Sequence, residues 1–190
     1  MSPLRILLAS TAIVSLAGLA QAQTAVPVSH FDSVELEGGG HVVLKHGDVQ
    51  RVMLIKGSTQ FTTFETGSNS HKLTIKTCNR DCPEQYDLEI EITTPDIPAV
   101  AIEGGGHIES DGAFPGQHAV TAAVHGGGNI DLRSINADDA TAAVDGGGHI
   151  ELRAEKHLTA AVNGGGHIGY AGNPEVTEAV NGGGSVTHRD

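Results

Sequence analysis

Eleven histidines occur in the 190 residues, and four of them, His41, His107, His149 and His167, follow directly on a run of three glycines. Six such runs are present: Gly38, Gly39, Gly40; Gly104, Gly105, Gly106; Gly126, Gly127, Gly128; Gly146, Gly147, Gly148; Gly164, Gly165, Gly166; and Gly182, Gly183, Gly184. If these units stack in register, the residues flanking them form two outward columns. One holds Glu103, His125, Asp145, Asn163 and Asn181; the other holds His107, Asn129, His149, His167 and Ser185. Neighbouring strands lie about 4.8 Å apart, so His149 and His167 can approach a single ion, with Asp145 across the glycine corner. Imidazole combined with carboxylate suits zinc, copper or nickel. The candidate metal ligands are therefore His149, His167, Asp145, His125 and His107, and the candidate cofactor is a divalent transition metal. Duplication of a repeat bearing a tolerated surface histidine would give the same columns and is the simpler account.

Other chemistry is weaker. Asp131 and Glu151 stack beside Arg133 and Arg153, and carboxylates with arginines nearby could cleave an acidic polysaccharide. Cross-strand charge pairing explains them more simply, and six aromatics without tryptophan offer little platform for a sugar. A calcium-binding nonapeptide roll needs Asp after its glycines in every half-coil, which this chain lacks. The column Thr121, Thr141, Thr159, Thr177 reflects strand propensity. Gly164, Gly166 and Gly169 imitate a dinucleotide fingerprint, but Tyr170 to Pro174 follow where a helix is required. No nucleophile elbow or zinc-protease helix motif occurs. No catalytic residue is assigned.

The elements that must position these residues are read from period and repeat. The last five triplets are separated by 22, 20, 18 and 18 residues. Before the late triplets residues alternate strictly, Val120, Ala122, Val124 against Thr121, Ala123, His125 and Leu158, Ala160, Val162 against Thr159, Ala161, Asn163. Alternation at period two means strands with one buried face. After the triplet, Ile130 and Leu132, then Ile150 and Leu152, begin a second short strand. Glycine admits positive φ and close backbone approach, which suits a sharp corner stacked on its copy. One coil per 18–22 residues predicts an all-β, right-handed parallel β-helix or solenoid. Its core would be thin, built on Ala122, Ala142 and Ala160, and Glu178 breaks the inward pattern in the last coil. Residues 23–98 lack the short repeat and predict longer coils or hairpins, with 99–190 carrying the regular units of a single domain.

Residues 1–22 have Arg5, an apolar run from Ile6 to Leu19 and Ala20-Gln21-Ala22, the pattern of a signal peptide. Processing before Gln23 would leave a periplasmic or secreted protein with no transmembrane segment, since no later stretch approaches the required ~20 apolar residues. Arg5 is the one charged residue removed, so 10 basic and 23 acidic residues remain, a net charge of -13. Such a surface repels phosphate backbones and excludes nucleic acid as a partner. Cys78 and Cys82, alone in an exported chain, predict a disulfide clipping a short loop.

With the opening FDSVELEGGG, the stretch Ile92-Thr93-Thr94-Pro95 and the serial GGGHI units, the chain resembles the head GIN domain family of auto-transporter adhesins. That resemblance covers nearly all of residues 23–190 and implies a β-helical domain at the cell envelope. Members carry a Gly-Ser-Gly-Asp-like corner; here glycine replaces the serine, and His41, His107, His149 and His167 take the acidic position. The expected role is a non-enzymatic solenoid presenting an acidic, histidine-marked surface to an envelope or surface ligand, protein or glycan. Metal binding ranks second and a polysaccharide-active enzyme third.

Overall fold

The computed structural model describes residues 23–67, 71–78, 81–97 and 99–189; the segment expected to be a signal peptide lies outside them. Those residues form fifteen β-strands and no helix. In chain order they are β1 (Thr24–Val26), β2 (Ser33–Gly38), β3 (His41–His46), β4 (Arg51–Lys56), β5 (Thr62–Thr66), β6 (Lys72–Thr77), β7 (Glu89–Thr94), β8 (Ala99–Gly104), β9 (His107–Asp111) and β10 (Gln117–Gly126). Then follow β11 (Asn129–Gly146), β12 (His149–Gly164), β13 (His167–Ala171), β14 (Glu175–Gly182) and β15 (Ser185–His188).

The strands leading into the glycine corners pair in the order β2, β8, β10, β11, β12, β14, with β6 flanking β2 at the end of the row, all parallel. The strands leaving the corners pair as β3, β9, β11, β12, β13, β15, with β7 flanking β3, again parallel. Equivalent repeat positions face each other. Leu36, Ile102, Val124, Val144 and Val162 form one inward ladder, and Val42, Ile108, Ile130, Ile150 and Ile168 another. All ten are buried and belong to one core; side chains of this size contribute about 1.5–3 kcal/mol each when fully buried.

Orientation is mixed. β4 runs antiparallel to both β7 and β1, and β5 antiparallel to β6, so a uniformly parallel stack holds from Ala99 onward and not before it. Nor do the coils follow chain order: the β2–β3 coil lies between the β6–β7 and β8–β9 coils. A second difference concerns the strands after the corners, expected to be short. β11 and β12 run from one corner to the next as 18- and 16-residue strands. Two register shifts, between Asp131 and Asn136 and between Ala137 and Asp139, together absorb the change from a 20- to an 18-residue coil.

Glu178 pairs with Ala160 at an inward position yet is exposed, because among the described residues no further coil covers β14. Cys78 and Cys82 are joined as a disulfide with Cα atoms 5.6 Å apart.

Candidate functional site

Within each triplet the three glycines meet different demands. The first has positive φ, 122° at Gly146, a region that L side chains avoid. A Cβ on the second, Gly147, would meet nothing within 4 Å, whereas one on the third, Gly148, would run into Val124 and Gly128 of the preceding coil. Corners therefore stack backbone on backbone: Gly147 N donates to Gly126 O at 2.9 Å, and His149 N to Gly128 O at 2.9 Å. This contact sets the register of the residue that follows, producing the ladder His41, His107, Asn129, His149, His167, Ser185.

Two residues further along the same face, period two adds a second ladder: Val43, Glu109, Asp131, Glu151, Gly169 and Thr187. Imidazoles and carboxylates thus meet at two places. At the first, His41 Nε2 lies 3.0 Å from Glu109 Oε1 and His107 Nε2 3.5 Å from Glu109 Oε2. The two rings lie 5.0 Å apart between centroids, and Asn129 Nδ2 donates to His107 Nδ1 at 2.9 Å. Among the described residues, His41, His107 and Glu109 form a group whose ligand atoms all lie within 4.8 Å of one another.

At the second place, His149 Nε2 lies 2.7 Å from Glu151 Oε1, and Arg189 Nη1 reaches the same oxygen at 3.3 Å. Glu151 is buried, its carboxylate covering Gly169 so closely that a Cβ there would collide with it. His167 instead faces Ser185 Oγ at 2.9 Å, its ring centroid 6.3 Å from that of His149.

The five residues proposed as ligands are divided between two faces. His107, His149 and His167 share the ladder after the corner, whereas His125 and Asp145 pair in register before it. There Asp145 Oδ1 accepts from Asn163 Nδ2 at 3.2 Å, and both line a shallow hollow of about 190 Å³ with His125. The fold joins His107 to His41 and Glu109, which were not among the proposed ligands. One signal was available: His107-Ile108-Glu109 recurs as His149-Ile150-Glu151, and residues two apart share a strand face. The other was hidden, because 66 residues separate His41 from His107 and only the coil order makes them neighbours.

The carboxylates read as candidate acids are charge-paired. Asp131 receives Arg133 Nη2 at 2.5 Å and its Nε at 2.9 Å. Burial raises the Asp131 carboxyl, but hydrogen bonds and charge from Arg133 outweigh it and hold the group below the usual carboxylate range. Arg153 pairs with Glu155 at 3.7 Å.

A family model described as "Putative auto-transporter adhesin, head GIN domain" matches residues 30–123 and 116–174. The chain belongs to this family. A solved "putative adhesin" from Bacteroides fragilis is similar in fold, with 15% identity, a TM-score of 0.55, and coverage of 88% of this chain and 96% of that one. A "putative adhesin" from Parabacteroides merdae matches at 10% identity and a TM-score of 0.40, over 89% and 96% of the two chains. A "putative lipid binding protein" from Parabacteroides distasonis matches at 13% identity and a TM-score of 0.36, over 89% and 96%. A comparison with curated proteins yields no match. Head GIN membership accounts for the all-β architecture; the histidine ladder is described from this chain's own residues.

Proposed function

We propose that the protein is a non-enzymatic adhesion module, exported to the periplasm or cell exterior and wound as a right-handed β-helix forming one domain from residue 23 to 190. Its ligand is an envelope or surface protein or glycan. Right-handed winding is the general chirality of parallel crossovers. The observation that carries the functional reading, beside family membership, is the in-register repetition of polar side chains on both sides of the corners. Regular spacing of about 4.8 Å per coil lets an extended ligand meet a polar side chain at every coil, so weak contacts add without a deep pocket. The pairing of Asp131 with Arg133, and of Glu151 with His149 and Arg189, speaks against free catalytic carboxylates. Among the described residues no helix is long and apolar enough to cross a membrane.

The test is sedimentation of purified protein with envelope fragments from its own cells, beside the triple variant Asp145→Lys, Asn163→Lys, Asn181→Lys. Binding by the parent and its loss in the variant are expected. Absence of binding, or identical binding by a folded variant, overturns the reading. Export is checked separately: the chain recovered outside the cytoplasm should begin at Gln23, and a retained Met1 refutes processing at Ala22.

A further inference from the structure

We propose that His41, His107 and Glu109 form a binding site for one divalent transition metal ion of the zinc type. This proposal stands apart from the adhesion reading. Its basis is the convergence of two imidazole Nε2 atoms on the two oxygens of one carboxylate, at 3.0 and 3.5 Å. Ligand atoms of tetrahedral zinc lie about 3.3 Å apart, and each imidazole stands at such a spacing from one of the two Glu109 oxygens, His41 from Oε1 and His107 from Oε2. One donor atom from each residue lies within 4.8 Å of the other two, so binding draws the three side chains together around the ion. The strands carrying the ligands are held in register by His107 N donating to Gly40 O at 2.8 Å.

Electrostatics favour this place over the second histidine–glutamate pair. Among the described residues, the ion-pair partners of Glu109 are His41 and His107 alone. The nearest lysines are engaged elsewhere: Lys45 bonds Glu91 at 2.8 Å and Lys56 bonds Glu89 at 2.6 Å. The neighbouring carboxylates Glu89, Glu91, Asp111 and Asp131 are paired with Lys56, Lys45 and Arg133, so their charge is largely balanced and, among the described residues, Glu109 is the acid here that faces imidazoles and no fixed cation. At the second pair Arg189 already occupies Glu151, so a cation there must displace an arginine.

Outer support is also present. With Asn129 Nδ2 donating to His107 Nδ1, the neutral ring carries its proton on Nε2 and points it at Glu109. Turning the Asn129 amide by half a turn presents Oδ1 instead. It then accepts from Nδ1–H and frees the Nε2 lone pair, the arrangement by which metal-bound histidines are oriented. Asn129 is thus a positioning residue. Three protein ligands leave a fourth position open, and beside His41 and Glu109 lies a cleft of about 390 Å³ where water or a donor from a partner can enter. An ion here joins β3 to β9 and so clamps the out-of-order β2–β3 coil onto the regular repeats.

The experiment is calorimetric titration of the purified full protein with Zn²⁺ alone, with metal content measured after dialysis. One ion per chain is expected. Glu109→Gln, nearly isosteric, and the His41→Ala, His107→Ala pair should each weaken binding at least about tenfold, while Asn129→Ala should weaken it by a smaller factor. The double variant His149→Ala, His167→Ala should bind like the parent. Substitution with Co²⁺ should give the intense visible bands of a four-coordinate site in the parent and lose them in Glu109→Gln while the circular dichroism of that variant stays like the parent's, which separates loss of the site from unfolding. No zinc uptake by the parent, unchanged uptake by Glu109→Gln, or loss of uptake in the His149, His167 variant each overturns the assignment.

Discussion

At the scale of the residue, three identical letters perform three different tasks. Gly147 has open space where a Cβ would stand, so Gly147→Ala should leave stability unchanged or raise it by about 0.4–1 kcal/mol by stiffening the unfolded chain. Gly146 has φ of 122°, and a Cβ there would sit 2.6 Å from Gly126 O. Gly146→Ala should therefore cost at least about 1–2 kcal/mol. Gly148→Ala should also destabilise, since Val124 and the backbone of Gly128 stand in the way and neither is the far end of a flexible chain. Thermal or urea unfolding of the three variants checks the order; equal losses would show that the corner does not discriminate among its glycines. Asp131 supplies a second test. Its carboxyl is held below the ordinary range because Arg133 overcomes the opposing effect of burial. A depressed folded value contributes stability that is present above the unfolded pKa and is lost as pH falls through the folded one. Arg133→Gln should move the Asp131 titration midpoint upward and bring acid unfolding to higher pH, read by carboxyl NMR and by circular dichroism.

At the scale of the element, one coil is the unit. The register places Asp145 opposite Asn163 and Gly146 opposite Gly164, so deleting Gly146 to Asn163 joins Asp145 to Gly164 and restores the same frame. Stability of stacked repeats is approximately a sum over units and their interfaces, and the shortened protein should fold with a lower unfolding midpoint. Deleting only Gly146 to Leu152 shifts the alternation against the neighbouring coils and turns buried positions outward. That variant should fail to fold or should aggregate. Indistinguishable behaviour of the two deletions in circular dichroism and size exclusion would refute one coil per repeat.

At the scale of the whole molecule, the stack has unlike ends. Antiparallel strands close the N-terminal side, with β5 on β6 and β4 on β7. At the other side β14 is exposed along most of its length, Val180 included. Uncovered strands are templates for association, and an inward-pointing charge is one device that prevents it. Glu178, at the inward position opposite Ala160, fits that description. Glu178→Leu should promote self-association through this end, visible as a concentration-dependent rise in sedimentation coefficient relative to the parent; an unchanged coefficient would remove the guarding role.

The strands, their faces and the corners are legible in the order of residues, because alternation and glycine chemistry act over a few residues. Val120, Ala122 and Val124 are buried as their period requires, and coils from Ala99 onward stack in the order of their repeats. Tertiary structure alone decided where the β2–β3 coil goes and which way β4 and β5 run. Those choices depend on hydrogen bonds between strands far apart in the chain, and the local pattern of a strand is the same whichever neighbour it takes. His41 shows the consequence. Its position after a glycine triplet was legible, but its contact with Glu109 exists only because β3 pairs with β9 across 66 residues. His149 and Asp145, four residues apart in the chain, lie instead on opposite sides of a corner, His149 bonded to Glu151 of its own strand and Asp145 to Asn163 of the next coil.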